Sequence, residues 1–114
     1  MEFCKEIIDV LNANDMGVGD VEEQGYDHYV EVEFYSPAGE DVCETVWFDG
    51  TDAGFIRGFR AAADSFDPDE HAGMWVEHRG ENGVPYSLRA LIDDADWIRD
   101  TLLSVADQLE ALKI

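Results

Sequence analysis

Basic residues are scarce in this 114-residue sequence, which has two lysines and five arginines against 27 aspartates and glutamates. The formal net charge is −20 at pH 7. A charge of this size repels nucleic acids and anionic lipids at long range and speeds encounter with basic proteins. We therefore expect no direct binding to nucleic acid and no binding to a membrane, and we expect any partner to present a basic protein surface.

Cysteines and long apolar runs are also scarce. Cys4 and Cys43 lie far apart, and neither belongs to a Cys-x-x-Cys motif or has a histidine at ligand spacing. This pattern predicts buried thiols in a reducing compartment. No stretch approaches the roughly 18 apolar residues of a membrane span, and the acidic residues among the first nine are unlike a secretory signal. These features predict a cytoplasmic protein.

The remaining sequence is sufficient for one folded domain, because apolar residues make up 46% of it and can offset the chain entropy. Hydrophobic periodicity predicts a helix over 2–13, strands over 20–24, 28–35 and 42–48, and helices over 52–65, 67–79 and 88–112. We predict a single α+β domain, residues 1–114, with a small antiparallel meander of two to three strands packed against helices. The predicted order is α-β-β-β-α-α-α.

The last predicted helix separates an apolar face from an acidic one. Its apolar face contains Leu88, Leu91, Ile92, Ala95, Ile98, Leu102, Val105, Leu109 and Leu112. This face is either core or the seam of a homo-oligomer. The opposite side carries a stripe, hereafter the acidic stripe, of Asp93, Asp96, Asp100, Asp107 and Glu110, with Asp94 beside it. The stripe is either a solvated helix face or a contact surface.

Glu31 and Glu33 of the clearest strand form a second predicted patch. Further acids lie in the strands and loops, at Asp20, Glu22, Glu23, Asp27, Glu40, Asp41 and Glu44. The whole domain carries a net charge of −20. If these acids share one surface with the acidic stripe, that total is comparable to one turn of B-DNA, about 20 phosphates. We therefore predict a basic partner bound by the stripe together with Glu31 and Glu33, with mimicry of DNA as the sharp form of the hypothesis.

The sequence offers little for catalysis or metal binding. His71 and His78 flank Met74 and Trp75, but on a helix they lie about 10 Å apart along the axis, too far to bind one ion together. Met74 and Trp75 are predicted to pack in the interior. No phosphate-binding loop or nucleophile motif occurs, so we expect no cofactor, no metal and no enzymatic activity. A cleft holding a carboxylate of perturbed pKa would instead favour an enzyme.

The arginines have a structural interpretation. Arg57, Arg60, Arg79 and Arg89 fall in the less acidic middle of the sequence, where they can pair with carboxylates and hold helices in register. The alternative is that some of them line a partner site.

One stretch resembles known sequences. The segment FDPDEHAGMWVEHRG, residues 66–80, followed by Gly83-Val84-Pro85 and an acidic helix, resembles the C-terminal half of small acidic proteins of bacterial mobile elements and phage-like gene sets. The resemblance covers about half of the chain. It implies a protein that acts against a host restriction or CRISPR system by occupying a DNA-binding groove, and it assigns no residue a role.

These observations predict a non-enzymatic acidic module that binds a basic protein. The most specific version of this hypothesis is that the module mimics DNA and thereby inhibits a host DNA-binding or defence protein. The alternative is a structural or housekeeping domain whose acidity serves solubility or adaptation to concentrated salt. A salt-adapted domain gains stability as salt screens its self-repulsion, and it needs no basic partner.

Overall fold

The computed structural model describes residues 1–114 and is an α+β fold with four α-helices and four strands. The elements are α1 (Lys5–Ala13), β1 (Gly17–Val18), β2 (Glu22–Gln24), β3 (Asp27–Tyr35), β4 (Asp41–Phe48), α2 (Asp52–Ser65), α3 (Pro68–Trp75) and α4 (Leu88–Glu110). A turn of 3-10 helix, Val76–His78, follows α3. The predicted class is confirmed. The predicted order is also correct except for β1, which lies between the predicted helix over 2–13 and the predicted strand over 20–24.

The sheet is antiparallel and centred on β3. One edge of β3 pairs with β4 along almost its whole length, from His28 opposite Phe48 to Tyr35 opposite Asp41. The other edge pairs with the two short strands β1 and β2 in succession. The outer edge of β4 therefore has no strand partner.

The helices pack on one face of this sheet. Side chains alternate along both long strands, so that Val30, Val32 and Phe34 of β3 and Val42, Val46 and Phe48 of β4 are buried while their neighbours are more exposed. The buried strand residues form one core with α1, α2 and the second half of α4. No helix covers the opposite face of the sheet, which is open to solvent.

Side-chain caps explain where three helices begin. Thr51, Asp67 and Ser87 each precede a helix and accept a hydrogen bond from the backbone of its first turn, which satisfies an otherwise unpaired N–H group. The α-helical part of α3 ends at Trp75, short of the predicted end at residue 79.

The first half of α4 corrects the predicted apolar face. Leu88 and Ile92 are 49% and 42% exposed because this part of the helix extends past the sheet. It contacts α3 and the preceding loop instead, through Leu91 and Ala95. None of the helices is long and apolar enough to cross a membrane.

Candidate functional site

The acidic stripe is a largely exposed surface of α4, but four of its five carboxylates lie beside one of two arginines of the same molecule. Arg60 of α2 forms ion pairs with Asp107 and Glu110, the latter at 2.6 Å. Arg99 lies 3.6 Å from Asp96 and 3.0 Å from Asp100. These pairs leave Asp93 as the one stripe residue without a cationic neighbour.

The Arg60 pairs hold two helices together. Hydrogen bonds to Glu110 and Asp107 raise the pKa of the Arg60 guanidinium above its ordinary value. This charge-assisted arrangement connects α2 to the C-terminal turns of α4. Arg57 likewise pairs with Asp49 at 3.2 Å. The structural interpretation is therefore correct for Arg60, whereas Arg57 pairs with a carboxylate in the loop before its own helix and joins no second helix. Arg79 donates to the Val76 carbonyl, and Arg89 forms no ion pair.

The uncovered face of the sheet is a second acidic surface, here called the open sheet face. It consists of the outward side chains of β3 and β4: Tyr29, Glu31, Glu33, Tyr35, Asp41, Cys43, Thr45 and Trp47. Glu31 lies opposite Thr45, and Glu33 lies opposite Cys43. None of the three carboxylates on this face belongs to an ion pair, unlike most of the acidic stripe.

The Cys43 thiol lies among the carboxylates of the open sheet face. It donates a hydrogen bond to Glu31 Oε2 at 3.1 Å. Burial, this hydrogen bond and the charges of Glu31, Glu33 and Asp41 together raise the pKa of Cys43 to about 11. Both cysteines are free, but Cys43 is exposed and Cys4 only partly buried, so the prediction of buried thiols was wrong. The parity of β4 places Cys43 on the solvent side.

Aromatic rings stand at both ends of the open sheet face. Tyr29 and Trp47 are cross-strand neighbours with ring centroids 4.8 Å apart, and Tyr35 at the other end is 63% exposed. Aromatic faces attract lysine and arginine through cation–π interactions. The open sheet face therefore combines unpaired carboxylates with exposed rings, both of which suit a basic partner.

A buried polar network connects the β3–β4 turn to α3 and α4. The Ser36 hydroxyl donates to Asp94 Oδ2 at 2.5 Å and accepts from the Glu40 backbone N–H at 3.1 Å. Glu40 Oε1 lies 3.0 Å from His71 Nε2. Glu40 and Asp94 were predicted to be surface acids, but both are buried. Asp94 lies three residues after Leu91 and four before Ile98, a spacing that places it at the border of the apolar face.

The charge state of this network is unusual. Burial, followed by interaction with Asp94, raises the pKa of Glu40 to about 8, and burial lowers the pKa of His71 despite the charge of Asp94. Glu40 Oε2 is buried and has no hydrogen-bond partner. A proton on Glu40 at neutral pH would relieve the repulsion between two buried carboxylates.

A groove of about 690 Å³ runs between β4, α2 and α3, here called the β4 groove. Met74 and Trp75 line it together with Ala61, Ala62 and Phe66. Met74 is 64% exposed, so the prediction that it packs in the interior was wrong. Trp75 is 36% exposed. The groove contains no lysine or arginine, while Asp41, Glu44, Asp67 and Glu70 contribute carboxylates.

Glu44 occupies an unusual position in the β4 groove. It lies between Val42 and Val46 on the helix-facing side of β4 and opposite Val32. It is only partly exposed, forms no ion pair, and burial raises its pKa. We predicted Glu44 to be a surface acid, although the two-residue period of Val42 and Val46 places it on the inward face.

The remaining ionisable groups form no further site. His78 Nδ1 lies 3.0 Å from Glu81 Oε2 at an exposed position, and no three His, Cys, Asp or Glu side chains are grouped to hold a metal ion. The sequence matches no protein-family model and no curated protein, and the fold matches no solved structure.

Proposed function

We propose that the chain is a non-enzymatic acidic interaction module that binds the basic surface of another protein through the open sheet face. The observation that carries the proposal is the contrast between two acidic surfaces. Glu31, Glu33 and Asp41 on the open sheet face have no cationic partner, whereas most of the acidic stripe is paired with Arg60 and Arg99. Unpaired carboxylates are free to pair across an interface, while paired ones must first exchange a partner.

This proposal narrows the predicted contact set. Glu31 and Glu33 stay in the proposed contact, and Asp41 joins them. Asp93 is the stripe residue best able to contribute, while Asp96, Asp100, Asp107 and Glu110 are engaged within the molecule. A basic partner would gain charge pairs at Glu31 and Glu33 and cation–π contacts at the flanking rings.

Mimicry of DNA is the most specific version of the proposal, and the dimensions of the molecule favour it. The molecule is 41 Å long, and a duplex of that length carries about 24 phosphate charges at one per about 1.7 Å. The net charge of −20 is comparable. The molecule is therefore similar in length and total charge to the stretch of duplex that a basic DNA-binding groove accepts. This similarity is expected for an inhibitor of a DNA-binding or defence protein.

The perturbed carboxylates favour binding over catalysis. The Ser36 hydroxyl is buried and bonded to Asp94, not to His71. The Cys43 thiol is bonded to Glu31, but its pKa is raised to about 11, which opposes formation of the nucleophilic thiolate at neutral pH. Glu40 is 4% exposed, which keeps it from a substrate. Glu44 is accessible from the groove but has no second acid or base as a hydrogen-bond partner, which general acid–base catalysis by a carboxylate pair would require.

The test is capture of proteins from a bacterial lysate on the immobilised chain at physiological salt. Bound proteins are eluted with excess duplex DNA and, separately, with a polyanion of unrelated shape such as polyglutamate. Selective elution of DNA-binding proteins by duplex supports mimicry. Retention of no protein, or elution of the same broad basic set by both competitors, contradicts it and favours acidity for solubility or salt adaptation.

A further inference from the structure

We propose that the β4 groove binds an extended, lysine- or arginine-bearing peptide segment, which adds to the free edge of β4 as a fifth strand and places a basic side chain on Glu44. The inference rests on the proposed function and specifies the kind of partner segment. It depends on three features of the groove: an unpaired strand edge, an inward carboxylate without a cation, and apolar walls.

The strand edge is available over the first half of β4. At the other half, α2 lies against the edge: a Cβ atom on Gly58 would lie 2.2 Å from the Trp47 carbonyl oxygen and 3.3 Å from its carbon, so this carbonyl points at the helix. Backbone groups of alternate residues in an antiparallel strand point the same way. Those of Cys43 and Thr45, which line the groove, therefore face outward with no strand to pair with.

Unpaired edges are the usual template for strand addition, in which backbone hydrogen bonds provide affinity and alternate side chains provide specificity. On β4 the two sides of the edge differ. A side chain of the added strand that points inward meets Glu44, and one that points outward meets the open sheet face near Thr45. Both sides carry carboxylates, so a strand with basic side chains is favoured on each.

The environment of Glu44 selects a cation with a long apolar stem. Burial raises the pKa of Glu44, and no lysine or arginine of the chain pairs with its carboxylate. A cation supplied by a bound peptide would stabilise the charged form of Glu44. Ala61, Ala62 and Met74 line the approach to it. A lysine or arginine can lay its methylene stem along such walls while its head reaches the carboxylate.

Charge also decides between a foreign segment and a second copy of this chain. Edge-to-edge pairing of two β4 strands would bring together two molecules of net charge −20 and place Asp41, Glu44 and their copies close together. Like charges placed opposite one another across an interface strongly oppose association. A basic segment gains from the same field, which also speeds its encounter with the groove.

The probe for the test is a nine-residue peptide of alternating lysine and threonine, acetylated and amidated at its ends, titrated calorimetrically into the intact protein. We expect Glu44→Gln to weaken binding about tenfold or more, the loss typical of a charge-assisted hydrogen bond in a partly buried site. Glu77→Gln makes the same change of charge outside the groove, and we expect it to alter the affinity less than twofold. Acetylation of every lysine in the peptide should abolish binding.

Backbone methylation tests strand addition itself. Every second N–H of an added strand points at β4 and the others point away, so N-methylation of one alternate set should abolish binding and that of the other set should be tolerated. Equal effects of the two methylated peptides overturn strand addition. Wild-type affinity in Glu44→Gln overturns the groove as the site.

Two further outcomes separate this inference from the proposed function. If peptide binding is lost in a Glu31→Gln/Glu33→Gln variant but unchanged in Glu44→Gln, the groove inference fails and the proposed function stands. The same conclusion follows if the peptide does not bind while basic lysate proteins are still captured. If neither the peptide nor any lysate protein binds, both proposals fail.

Discussion

Replacement of Glu40 by glutamine should change how the stability of the protein depends on pH. The folded-state pKa of Glu40 is raised from its ordinary value of 4.5 to about 8 by burial and by Asp94. The folded protein therefore holds a proton that the unfolded chain has released at neutral pH. This contribution to stability is fully present below pH 4.5 and is lost as the pH rises through about 8.

The magnitude follows from the two pKa values. Between pH 7 and pH 9 the linkage relation gives a loss of about 1 to 2 kcal/mol for a single group whose pKa changes from 4.5 to about 8 on folding. In Glu40→Gln the side-chain amide can donate to Asp94, as the protonated acid would, at every pH. The variant should therefore become more stable than the wild type by about that amount as the pH is raised over this interval.

Urea unfolding followed by tryptophan fluorescence at pH 7, 8 and 9 measures this difference directly. Burial lowers the pKa of His71 from its ordinary value of 6.5, which keeps the titration of this neighbour of Glu40 below the interval. The pKa of Cys43 is raised to about 11, but Cys43 forms no hydrogen bond with Glu40, so its contribution cancels in the comparison. Glu77→Gln removes an exposed carboxylate and should follow the wild-type profile. Parallel profiles for wild type and Glu40→Gln would refute the account of a proton held on Glu40.

Two further matched pairs test packing. Leu102→Ala should lower the free energy of unfolding by about 2–5 kcal/mol because Leu102 lies in the core. Leu88→Ala should change it by less than about 0.5 kcal/mol because Leu88 is half exposed. Urea unfolding measures both values, and equal losses would contradict the position of α4. Gly58→Ala should lower the free energy of unfolding by about 1–3 kcal/mol because its Cβ would collide with the Trp47 carbonyl. Gly73 has open space around it, so Gly73→Ala should raise the free energy of unfolding by up to about 1 kcal/mol through helix propensity. A stabilised Gly58→Ala variant would show that α2 does not lie against β4.

Periodicity predicted the long elements of this fold well. The two long strands alternate over most of their length, and three of the four α-helices begin at capping residues, so their local signals agree with the final structure. Strand β1 has only two residues, Gly17 and Val18, too few to show a period. It forms because Glu33 and Val32 of β3 offer partners, which is a tertiary effect that no local pattern contains.

The candidate site was harder to predict because acidic residues are everywhere in this sequence. In the sequence, Asp107 and Glu33 are both acidic residues at predicted exposed positions. Only the packing of α2 on α4 shows that Asp107 is paired with Arg60 whereas Glu33 is unpaired. Glu44 and Asp94 were both predicted to be surface acids, although the parity of β4 places Glu44 on the inward face and helical spacing places Asp94 at the border of the apolar face. The partner of Asp94, Ser36, lies 58 residues away in sequence, so the network required the fold.

The most direct test of the central claim compares two variants that each lose three negative charges. One is Glu31→Gln/Glu33→Gln/Asp41→Asn on the open sheet face, and the other is Asp93→Asn/Asp96→Asn/Asp100→Asn on the acidic stripe. Far-ultraviolet circular dichroism first establishes that both are folded, and each is then used to capture basic proteins from the same lysate. Our account predicts that the sheet-face variant loses the captured proteins while the stripe variant retains them. Equal losses, or loss in the stripe variant alone, would contradict it.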